Sequence, residues 1–518
     1  MHALSTGADT IVSILSRRAS EHPSAPFLVF DDLDGGVQHR SYEAMSTRAA
    51  LTAGALARHG IGPGDRVHVH LWNCPEFFDL WFGAAWLGAA IVPTNPLLTV
   101  AELGYVLGHA ATKLSVTQPD LLSRVSSAAG GRPVLVTGQS MNGVGLFEEE
   151  LTRAPVMNPR HPAPTDVAAV LYTSGTTSRP KGVLVTHANY LHVGEVVAQH
   201  LRVTPEDRML ITLPLFHANA QYYSTMSALV TGSSVILAAR FSASRWAGVA
   251  EHHHATLASL FAAPIRMLLA QPRNEVHARN ELRAVLFSQN VTEIQLKEFE
   301  ERFDCPLLQL YGMTETIAPP TLNPLYGARR NMTIGRPTLG ARLRVVGEDG
   351  ADVNHGEVGE LLVGGEPGVT LMAGYLGDEE ATRSAVVDGW LHTGDNVSVD
   401  ESGYFHFVDR AKDMIKRAGE NIAASEIESA INAHDAVFES AAIGVPDAMR
   451  DESIKVYVVL ANGSNVTEDE LIEWCASRLA AFKVPGNIEF VDGLPRTSVG
   501  KIQKEELRQG RASGLGEG

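Results

Sequence analysis

Cysteine is scarce in this sequence, and its spacing suits neither a cross-link nor a metal. Three cysteines, Cys74, Cys305 and Cys475, occur in 518 residues, far apart and without a Cys-x-x-Cys pair. An odd, scattered set argues against a disulfide framework and gives no zinc-ligand spacing. The sequence also lacks repeats, low-complexity tracts and any run of about 18 apolar residues. It therefore predicts neither a membrane span nor a disulfide-stapled or fibrous protein.

Positive charge is also in short supply. The sequence has 42 Lys and Arg against 59 Asp and Glu, a net charge of −17. The sequence therefore shows no basic region of the kind that binds nucleic acid, and an anionic ligand needs a local cluster of hydrogen-bond donors. We expect no nucleic-acid partner, and a cytoplasmic location. At 45% apolar residues and 518 residues in length, the chain predicts at least two globular domains.

Short β-branched runs alternate with helix-like segments through most of the chain, as at residues 66–71, 167–172 and 234–238. This alternation predicts α/β layers. From about Thr338 the strands are closely spaced with Gly turns, which predicts a β-rich subdomain. A boundary near Asp409 divides a large N-terminal domain, residues 1–408, from a C-terminal domain, residues 413–518.

The first helix of the predicted C-terminal domain follows Ala424. Ser425 and Glu428 have the spacing of a capping box, so we expect Ser425 to cap this helix rather than to act as a nucleophile. Ile427 and Ile431 share one helical face, which predicts that both are buried.

The strongest local pattern is the segment YTSGTTSRPKG at residues 172–182. Its glycines let backbone N–H groups approach an anion, its hydroxyls donate, and Lys181 supplies a positive charge. The spacing differs from the P-loop, because Lys181 is followed by Gly182. A phosphate-binding loop is the preferred interpretation, and a solvated turn is the alternative.

Three consecutive histidines, His252, His253 and His254, suggest a metal cluster at first sight. On a helix, consecutive side chains point in different directions, so the three rings do not converge on one metal. We therefore predict a structural role for them.

The phosphate-loop segment resembles the hallmark of the adenylate-forming superfamily, which includes acyl-CoA synthetases, adenylation domains and luciferases. Five further segments match the superfamily in its order: residues 214–219, 311–316, 389–395, 409–421 and 495–502. Together they span the chain from about Glu21 to Arg508. The resemblance implies a large N-terminal domain and a small, mobile α+β C-terminal domain, joined by a hinge at residues 409–412 with Lys412 as the hinge residue.

The resemblance also implies an acid–thiol ligase that uses ATP, Mg²⁺ and coenzyme A. A carboxylic acid is joined to AMP with release of pyrophosphate, and the acyl group is then passed to a thiol. The implied catalytic residues are Lys501, Glu315, Thr314 and His217, with Glu315 as the metal ligand. The implied ATP- and AMP-binding residues are Thr173, Ser174, Gly175, Thr176, Thr177, Lys181, Tyr311, Gly312, Thr314, Asp395, Arg410 and Lys501.

The same resemblance implies an acyl pocket and a thiol site. Coenzyme A is expected at Gly419, Lys416 and Arg417. The acyl pocket is expected to be apolar and aromatic, which predicts a fatty, aromatic or bulky cyclic acid such as a terpenoid acid. The expected pocket residues are His217, Asn219, Gln221, Tyr222, Met226, Phe287 and Ile317, with Tyr223 beside them.

Several alternatives stay open. The acceptor is a separate acyl carrier protein if the chain is an acyl-AMP ligase. Gln289 and Asn290 stand where many members have a glycine- and alanine-rich turn, a feature that resembles carnitine and betaine CoA ligases. A non-catalytic nucleotide-binding regulator is disfavoured, because Glu315 and Lys501 are both present. We expect a monomer or homodimer.

Overall fold

We describe the fold from a computed structural model of the chain. It describes residues 9–173, 180–289, 291–410, 413–417, 420–447, 451–496 and 502–510, and residues 410, 416, 420, 421 and 451 by backbone alone. No helix in these ranges is both long and apolar enough to cross a membrane.

The strands are, in chain order, β1 (Pro26–Asp31), β2 (Val37–Ser41), β3 (Arg66–His70), β4 (Ala90–Pro93), β5 (Leu114–Thr117), β6 (Val134–Val136), β7 (Gly145–Leu146), β8 (Val167–Thr173), β9 (Lys181–Thr186), β10 (Arg208–Ile211), β11 (Ser234–Ala238), β12 (Leu257–Phe261), β13 (Ala284–Ser288), β14 (Leu307–Tyr311), β15 (Thr321–Leu322), β16 (Arg336–Pro337), β17 (Arg342–Val346), β18 (Gly359–Gly364), β19 (Gly374–Tyr375), β20 (Val386–Val387), β21 (Trp390–Val399), β22 (Phe405–Arg410), β23 (Met414–Arg417), β24 (Glu420–Ala423), β25 (Val437–Asp447), β26 (Asp451–Leu460) and β27 (Asn487–Phe490).

The α-helices are α1 (Ile11–Glu21), α2 (Tyr42–Arg58), α3 (Pro75–Leu87), α4 (Val100–His109), α5 (Leu122–Ala128), α6 (Phe147–Arg153), α7 (His187–Leu201), α8 (Ser227–Thr231), α9 (Trp246–His252), α10 (Ala262–Leu269), α11 (Glu293–Phe303), α12 (Glu379–Ala385), α13 (Ala424–Asn432), α14 (Glu468–Ala476) and α15 (Lys504–Arg508). A π-helix covers Ala220–Met226, and 3₁₀ turns cover Glu275–Ala278 and Ala481–Lys483.

Two large sheets form the N-terminal part. One has nine strands in the order β16-β15-β14-β13-β12-β10-β11-β1-β2, and the other has eight in the order β19-β9-β8-β4-β3-β5-β6-β7. Neighbouring strands β10 to β14 and β3 to β6 are mostly parallel and buried on both faces. Parallel strands need helices on both faces to remove them from water. The predicted α/β layering is confirmed.

The main core lies between the two sheets. It contains side chains of α1, α2, α3, α7 and the π-helix together with one face of each sheet. The opposite face of the nine-stranded sheet packs on α9, α10 and α11 in a second core. Side chains therefore alternate between two cores along each central strand. Leu286 lies in the first core and Phe287 in the second.

A separate antiparallel sheet confirms the predicted β-rich subdomain. Its order is β17-β18-β21-β20, with β22 also paired to β21. The short strand β19 leaves this region and pairs with β9 of the eight-stranded sheet, with Tyr375 opposite Val183. This pairing brings the segment around Tyr375 to the end of the phosphate-loop hairpin.

The C-terminal part has its own sheet and core. Strands β24-β23-β26-β25 and β27 surround a cluster that includes Ile427 and Ile431, so their predicted burial is confirmed. The hairpin β23–β24 precedes α13, although the sequence pattern predicted a helix first. The large and small parts agree with the predicted fold class, and the exact boundary at residue 409 stays a prediction.

The predicted capping box at Ser425 is wrong. The N-cap of α13 is Ala423, and the Ser425 hydroxyl donates to the carbonyl of Val408 instead. The Glu428 carboxylate accepts from the Ala442 amide at 2.8 Å and pairs with Lys504 at 2.8 Å. Tertiary partners therefore replace the local cap that the spacing favoured.

Candidate active site

The phosphate-loop segment joins two strands of one hairpin. Strands β8 and β9 are antiparallel, and the final pair before the loop is Thr173 with Lys181. The hairpin therefore delivers Thr173 and Lys181 side by side at its end. The predicted nucleotide contacts Ser174, Gly175, Thr176 and Thr177 lie outside the described residues.

The segment 311–316 begins where β14 ends. In parallel sheets, ligands bind beyond the carboxyl ends of the strands, and Tyr311 is the last residue of β14. A Cβ added to Gly312 would lie 2.7 Å from the Tyr223 hydroxyl, so a larger residue here would displace the Tyr223 ring or the turn. The turn continues with hydrogen bonds from the Thr316 amide to the Met313 carbonyl at 3.2 Å and from the Met372 amide to the Glu315 carbonyl at 3.0 Å.

Two predicted nucleotide residues from distant segments meet at Tyr311. The Tyr311 hydroxyl donates to Asp395 Oδ2 at 2.5 Å, and Asp395 is buried. Asp395 on β21 stands opposite Arg410 on β22 in the sheet register. The structure thus brings together the aromatic residue predicted for the adenine and the carboxylate predicted for the ribose. The backbone of Arg410 lies beside them.

The sequence reasoning missed Tyr375. Its hydroxyl donates to Glu315 Oε1 at 3.1 Å, and its ring centroid lies 4.8 Å from Lys181 Nζ. Burial, and next the Glu315 charge, hold the pKa of Tyr375 well above its usual range, so the hydroxyl keeps its proton and donates. Tyr375 therefore links Glu315, predicted to bind Mg²⁺, to Lys181, predicted to bind phosphate. Little in the sequence indicated this link, because Tyr375, Glu315 and Lys181 are far apart in the chain.

We expect Tyr375→Phe to raise the Mg²⁺ concentration for half-maximal ATP–pyrophosphate exchange about tenfold, because one hydrogen bond to a carboxylate is lost. The phenyl ring still faces Lys181, so affinity for ATP at saturating Mg²⁺ should change little. Tyr404→Phe is a matched control, since the Tyr404 hydroxyl donates to the Ala328 carbonyl. Equal shifts in the two variants would remove Tyr375 from this role.

The predicted acyl pocket is built around the π-helix Ala220–Met226. Such helices are rare and frequently occur at functional sites. His217, half-buried, begins the turn that leads into it, and its carbonyl accepts from the Gln221 amide at 3.4 Å. Tyr222 and Met226 on the π-helix are buried, and the Tyr222 hydroxyl donates to the Thr314 carbonyl at 3.4 Å. The π-helix wall is thus tied to the segment that carries Glu315.

Two predicted pocket residues are placed differently. Phe287 lies in the outer core against α11, on the face of its strand opposite Leu286, whereas Tyr222 and Met226 lie in the inner core, so this placement does not support its assignment to the acyl pocket. Gln221 is fully buried, accepts from the Tyr190 hydroxyl and donates to the Leu215 carbonyl at 2.7 Å. Both amide atoms of Gln221 are engaged, so it orders the wall of the pocket instead of contacting the acid.

Ile317 and Asn219 carry signs of strain and of an unmet hydrogen bond. Ile317 has φ +62°, which is unusual for a β-branched residue, and it is fully buried two positions after Glu315. The Asn219 side-chain oxygen is buried and accepts no hydrogen bond within the described part of the chain. Such features concentrate at functional sites, where a ligand supplies the missing contact.

The predicted thiol site and hinge are only partly described. Lys412, Gly419 and Lys501 lie outside the described residues, and Lys416 is described by its backbone on β23. Arg417 on β23 donates to the carbonyls of Phe482 at 2.6 Å and Val484 at 3.2 Å. These bonds engage one of the two terminal nitrogens of the Arg417 guanidinium.

The three histidines form no metal cluster. His253 pairs with Asp31 at 2.8 Å, and His254 pairs with Glu281 at 2.6 Å. Each therefore has a carboxylate partner from a different segment, which the local sequence did not reveal. The predicted structural role is supported by these separate pairings.

Glu315 fits the single carboxylate that an Mg²⁺–triphosphate site requires. Mg²⁺ is usually held by one or two carboxylates together with substrate phosphates and water. No group of three or more His, Cys, Asp or Glu residues suited to a metal occurs among the described residues. A single carboxylate such as Glu315 suits a metal that arrives with a nucleotide.

Two family models match the chain. The model described as AMP-binding enzyme covers residues 15–376, and the AMP-binding enzyme C-terminal domain covers residues 426–501. The chain belongs to the AMP-binding enzyme family. The predicted adenylate-forming superfamily is thereby confirmed.

Relatives of this AMP-binding enzyme include CoA ligases. Crotonobetaine/carnitine–CoA ligase of Proteus mirabilis is 36% identical over 495 residues, covering 93% of this chain and 95% of the relative. ATP-bound MatB from Rhodopseudomonas palustris has a TM-score of 0.88 at 29% identity, covering 96% of this chain and 98% of that one. A benzoate CoA ligase from Burkholderia xenovorans has a TM-score of 0.88 at 27% identity, covering 96% and 100%.

These comparisons confirm two further predictions at the level of the family. The AMP-binding enzyme is an acid–thiol ligase of the adenylate-forming class. Its cosubstrates are ATP and coenzyme A, with Mg²⁺ as the typical metal of the family.

Proposed function

We propose that this enzyme converts a hydrophobic carboxylic acid to its coenzyme A thioester in two steps. A carboxylate oxygen attacks the α-phosphorus of ATP, the bond to pyrophosphate breaks, and acyl-AMP forms. The thiol sulfur of coenzyme A then attacks the acyl carbon, its proton is lost, and AMP leaves. The observation that carries this proposal is the meeting of Tyr311 with Asp395, and of Glu315 with Lys181 through Tyr375.

The nucleoside half of ATP is assigned to Tyr311 and Asp395. The ring of Tyr311 offers a face for the adenine, while an ionised carboxylate can accept from both ribose hydroxyls. The Tyr311 hydroxyl already donates to Asp395, so it fixes the carboxylate before the ribose binds. The position of Arg410 opposite Asp395 supports a role for Arg410 on the same side.

The phosphate half is assigned to Thr173, Lys181, Thr314 and Glu315, together with Ser174–Thr177 in the loop and Lys501 from the C-terminal domain. Attack of a carboxylate on a phosphate opposes two anions, so positive charge must lie where negative charge develops. A bound Mg²⁺ would supply part of that charge, with Glu315 as its protein ligand. Lys181 stands at the mouth of the loop hairpin, where it can neutralise phosphate oxygens.

The acid is assigned to the wall formed by His217, Asn219, Tyr222, Met226 and Ile317. Tyr222, Met226 and Ile317 are buried, which favours a fatty, aromatic or bulky cyclic acid that carries no charge apart from its carboxylate. His217, half-buried at the start of the π-helix, is assigned as the gate beside the carboxylate.

A quaternary ammonium acid is the second candidate. The 36% identity to crotonobetaine/carnitine–CoA ligase favours it, and so does the Asn219 side-chain oxygen, a negative dipole end that accepts no hydrogen bond from the described residues. None of the five wall residues is acidic, however, which leaves such a cation without a carboxylate from this wall. The first candidate therefore fits the wall better.

Coenzyme A is the proposed acceptor, bound near Lys416, Arg417 and Gly419. A separate acyl carrier protein is the alternative acceptor. We also assign the hinge to residues 409–412, with Lys412 as the pivot between the large domain, residues 1–408, and the small domain, residues 413–518. The coverage of the two family models, which ends at residue 376 and resumes at residue 426, supports this division.

A screen of carboxylic acids by pyrophosphate release tests the assignment of the acid. Benzoate, octanoate and a cyclic terpenoid acid are expected to be turned over at least tenfold faster than crotonobetaine or carnitine, because one unfavourable buried charge costs at least a factor of ten. The products are separated by mass to distinguish acyl-AMP from acyl-CoA. Preference for the quaternary ammonium acids would select the second candidate.

A further inference from the structure

An ion cluster around the buried Glu439 joins the large domain to the C-terminal part of the chain. Glu439 on β25 is 6% exposed, and its Oε2 lies 3.9 Å from Arg266 Nη2 on α10 and in direct contact with Arg496 Nη2. Arg266 precedes the proposed hinge, whereas Glu439 and Arg496 follow it. One carboxylate therefore faces two arginines that belong to different domains.

Arg496 stands at the base of the segment that contains Lys501. Arg496 pairs with Ile502 in an isolated antiparallel bridge, and the Gln503 amide donates to the Pro495 carbonyl at 2.8 Å. Residues 495 and 496 are thus held to residues 502 and 503, and we call these four residues the base of the segment. A contact that holds Arg496 also holds this base.

The cluster depends on the carboxylate at its centre. Burial lowers the pKa of Arg266 to about 10, and burial followed by the charge of Arg266 lowers that of Arg496 to about 10. Both guanidinium groups therefore stay charged at neutral pH and repel each other. The Glu439 carboxylate between these two half-buried like charges offsets their repulsion.

Packing beside the cluster is loose. A cavity of about 190 Å³ lies between the domains, lined by Arg266, Thr292 and Met332 on one side and by Ser429, Asn432 and Phe438 on the other. A gap of this kind forfeits close van der Waals contact between the surfaces. Polar contacts must then contribute a larger share of what holds the two domains in this orientation.

A second contact lies next to the hinge. The Ser425 amide donates to Asp409 Oδ2 at 3.2 Å, and the Ser425 hydroxyl donates to the Val408 carbonyl. These bonds hold the first turn of α13 against the residues next to the hinge. They fix the position of the C-terminal domain at that point, but its rotation about the hinge depends on contacts farther away. The cluster at Glu439 is such a contact.

We propose that Arg266 is a positioning residue for the adenylation step, which holds the Glu439–Arg496 pair, and with it the base of the Lys501 segment, against the large domain. This proposal rests on the two-step function above and deepens it. Formation of the thioester requires a different orientation, so the contact must break between the two steps. Arg266 therefore favours the first step and has no role in the second.

Arg266→Leu is the test variant, because it leaves the Glu439–Arg496 pair of the C-terminal domain intact. We expect ATP–pyrophosphate exchange to fall about tenfold, while the conversion of supplied acyl-AMP with coenzyme A stays within about twofold. Arg266→Lys keeps the charge and should recover most of the exchange. Arg273→Leu is the control, since Arg273 pairs with Glu298 on the exposed surface at 3.6 Å and should change neither step.

A fluorescence measurement makes the test independent of the acid. Dyes are attached at Glu206→Cys and Asn462→Cys, two exposed positions on the two domains, and the three native cysteines are buried. In the ligand-free protein, Arg266→Leu should remove at least half of the main energy-transfer population, and Arg273→Leu should not. If the wild-type protein activates no acid, the proposed function fails while this measurement still decides the role of Arg266. Identical transfer in the Arg266→Leu and Arg273→Leu proteins would overturn the proposal.

Discussion

Glu315→Gln is expected to lower ATP–pyrophosphate exchange by about 10²- to 10³-fold, the cost of losing one preorganised charge at the reacting phosphate. Glutamine keeps the shape of the side chain and can still accept from the Tyr375 hydroxyl, which donates to Glu315 Oε1 at 3.1 Å. The Met372 amide donates to the backbone carbonyl of Glu315, so the turn should be unaffected. The fold should therefore survive while the negative charge is lost.

The measurement is exchange at several Mg²⁺ concentrations, with thermal unfolding as a check of the fold. Glu348→Gln, on an exposed turn of the β-rich subdomain, is the matched control and should behave as wild type. Part of the loss should be recovered at high Mg²⁺, because the ligand is weakened rather than removed. Wild-type exchange in Glu315→Gln at limiting Mg²⁺ would exclude Glu315 from the metal site.

Lys501→Ala is expected to reduce acyl-AMP formation by about 10²- to 10³-fold, because a positive charge is removed from the α-phosphate as negative charge builds there. The turnover of chemically supplied acyl-AMP with coenzyme A should stay near wild type, since in the proposed mechanism the C-terminal domain has turned by that stage. Single-turnover assays of each half-reaction give the two values separately.

Gly419→Leu supplies the opposite variant. A leucine side chain should obstruct the approach of the thiol, so thioester formation falls while pyrophosphate exchange remains nearly intact. If both variants lose both half-reactions to the same extent, the two steps do not use separate domain orientations.

Much of the fold followed from hydrophobic patterns, since central strands such as β12 and β14 are mainly apolar and fully buried segments between helices. The face on which each residue lies did not follow so easily. Phe287 was predicted for the acyl pocket because of its position in the chain, but strand alternation places Leu286 on the inner face and Phe287 on the outer one. A shift of one residue along a strand exchanges one core for the other.

The candidate site, like the fold, could be predicted from the sequence only in part. Tyr311, Asp395 and Glu315 were predicted from motifs, and the structure brings Tyr311 and Asp395 into contact. Tyr375 and Arg266 were missed, because their partners are fixed by sheet pairing and by domain packing. Ser425 was misjudged for a related reason, since a local spacing was outweighed by partners across the hinge. Motifs within one segment predict which residues carry the chemistry, whereas contacts between distant segments can be identified only when the fold is known.

The central claim is that this enzyme joins the carboxylate of its acid to AMP. A substrate labelled with ¹⁸O in both carboxylate oxygens tests it most directly. If the carboxylate attacks the α-phosphorus and AMP later leaves the acyl group, one labelled oxygen must pass from the acid to the phosphate of AMP. We therefore predict AMP that carries one ¹⁸O atom and a thioester that retains the other. Unlabelled AMP, or label in inorganic phosphate with ADP as the nucleotide product, would contradict the account.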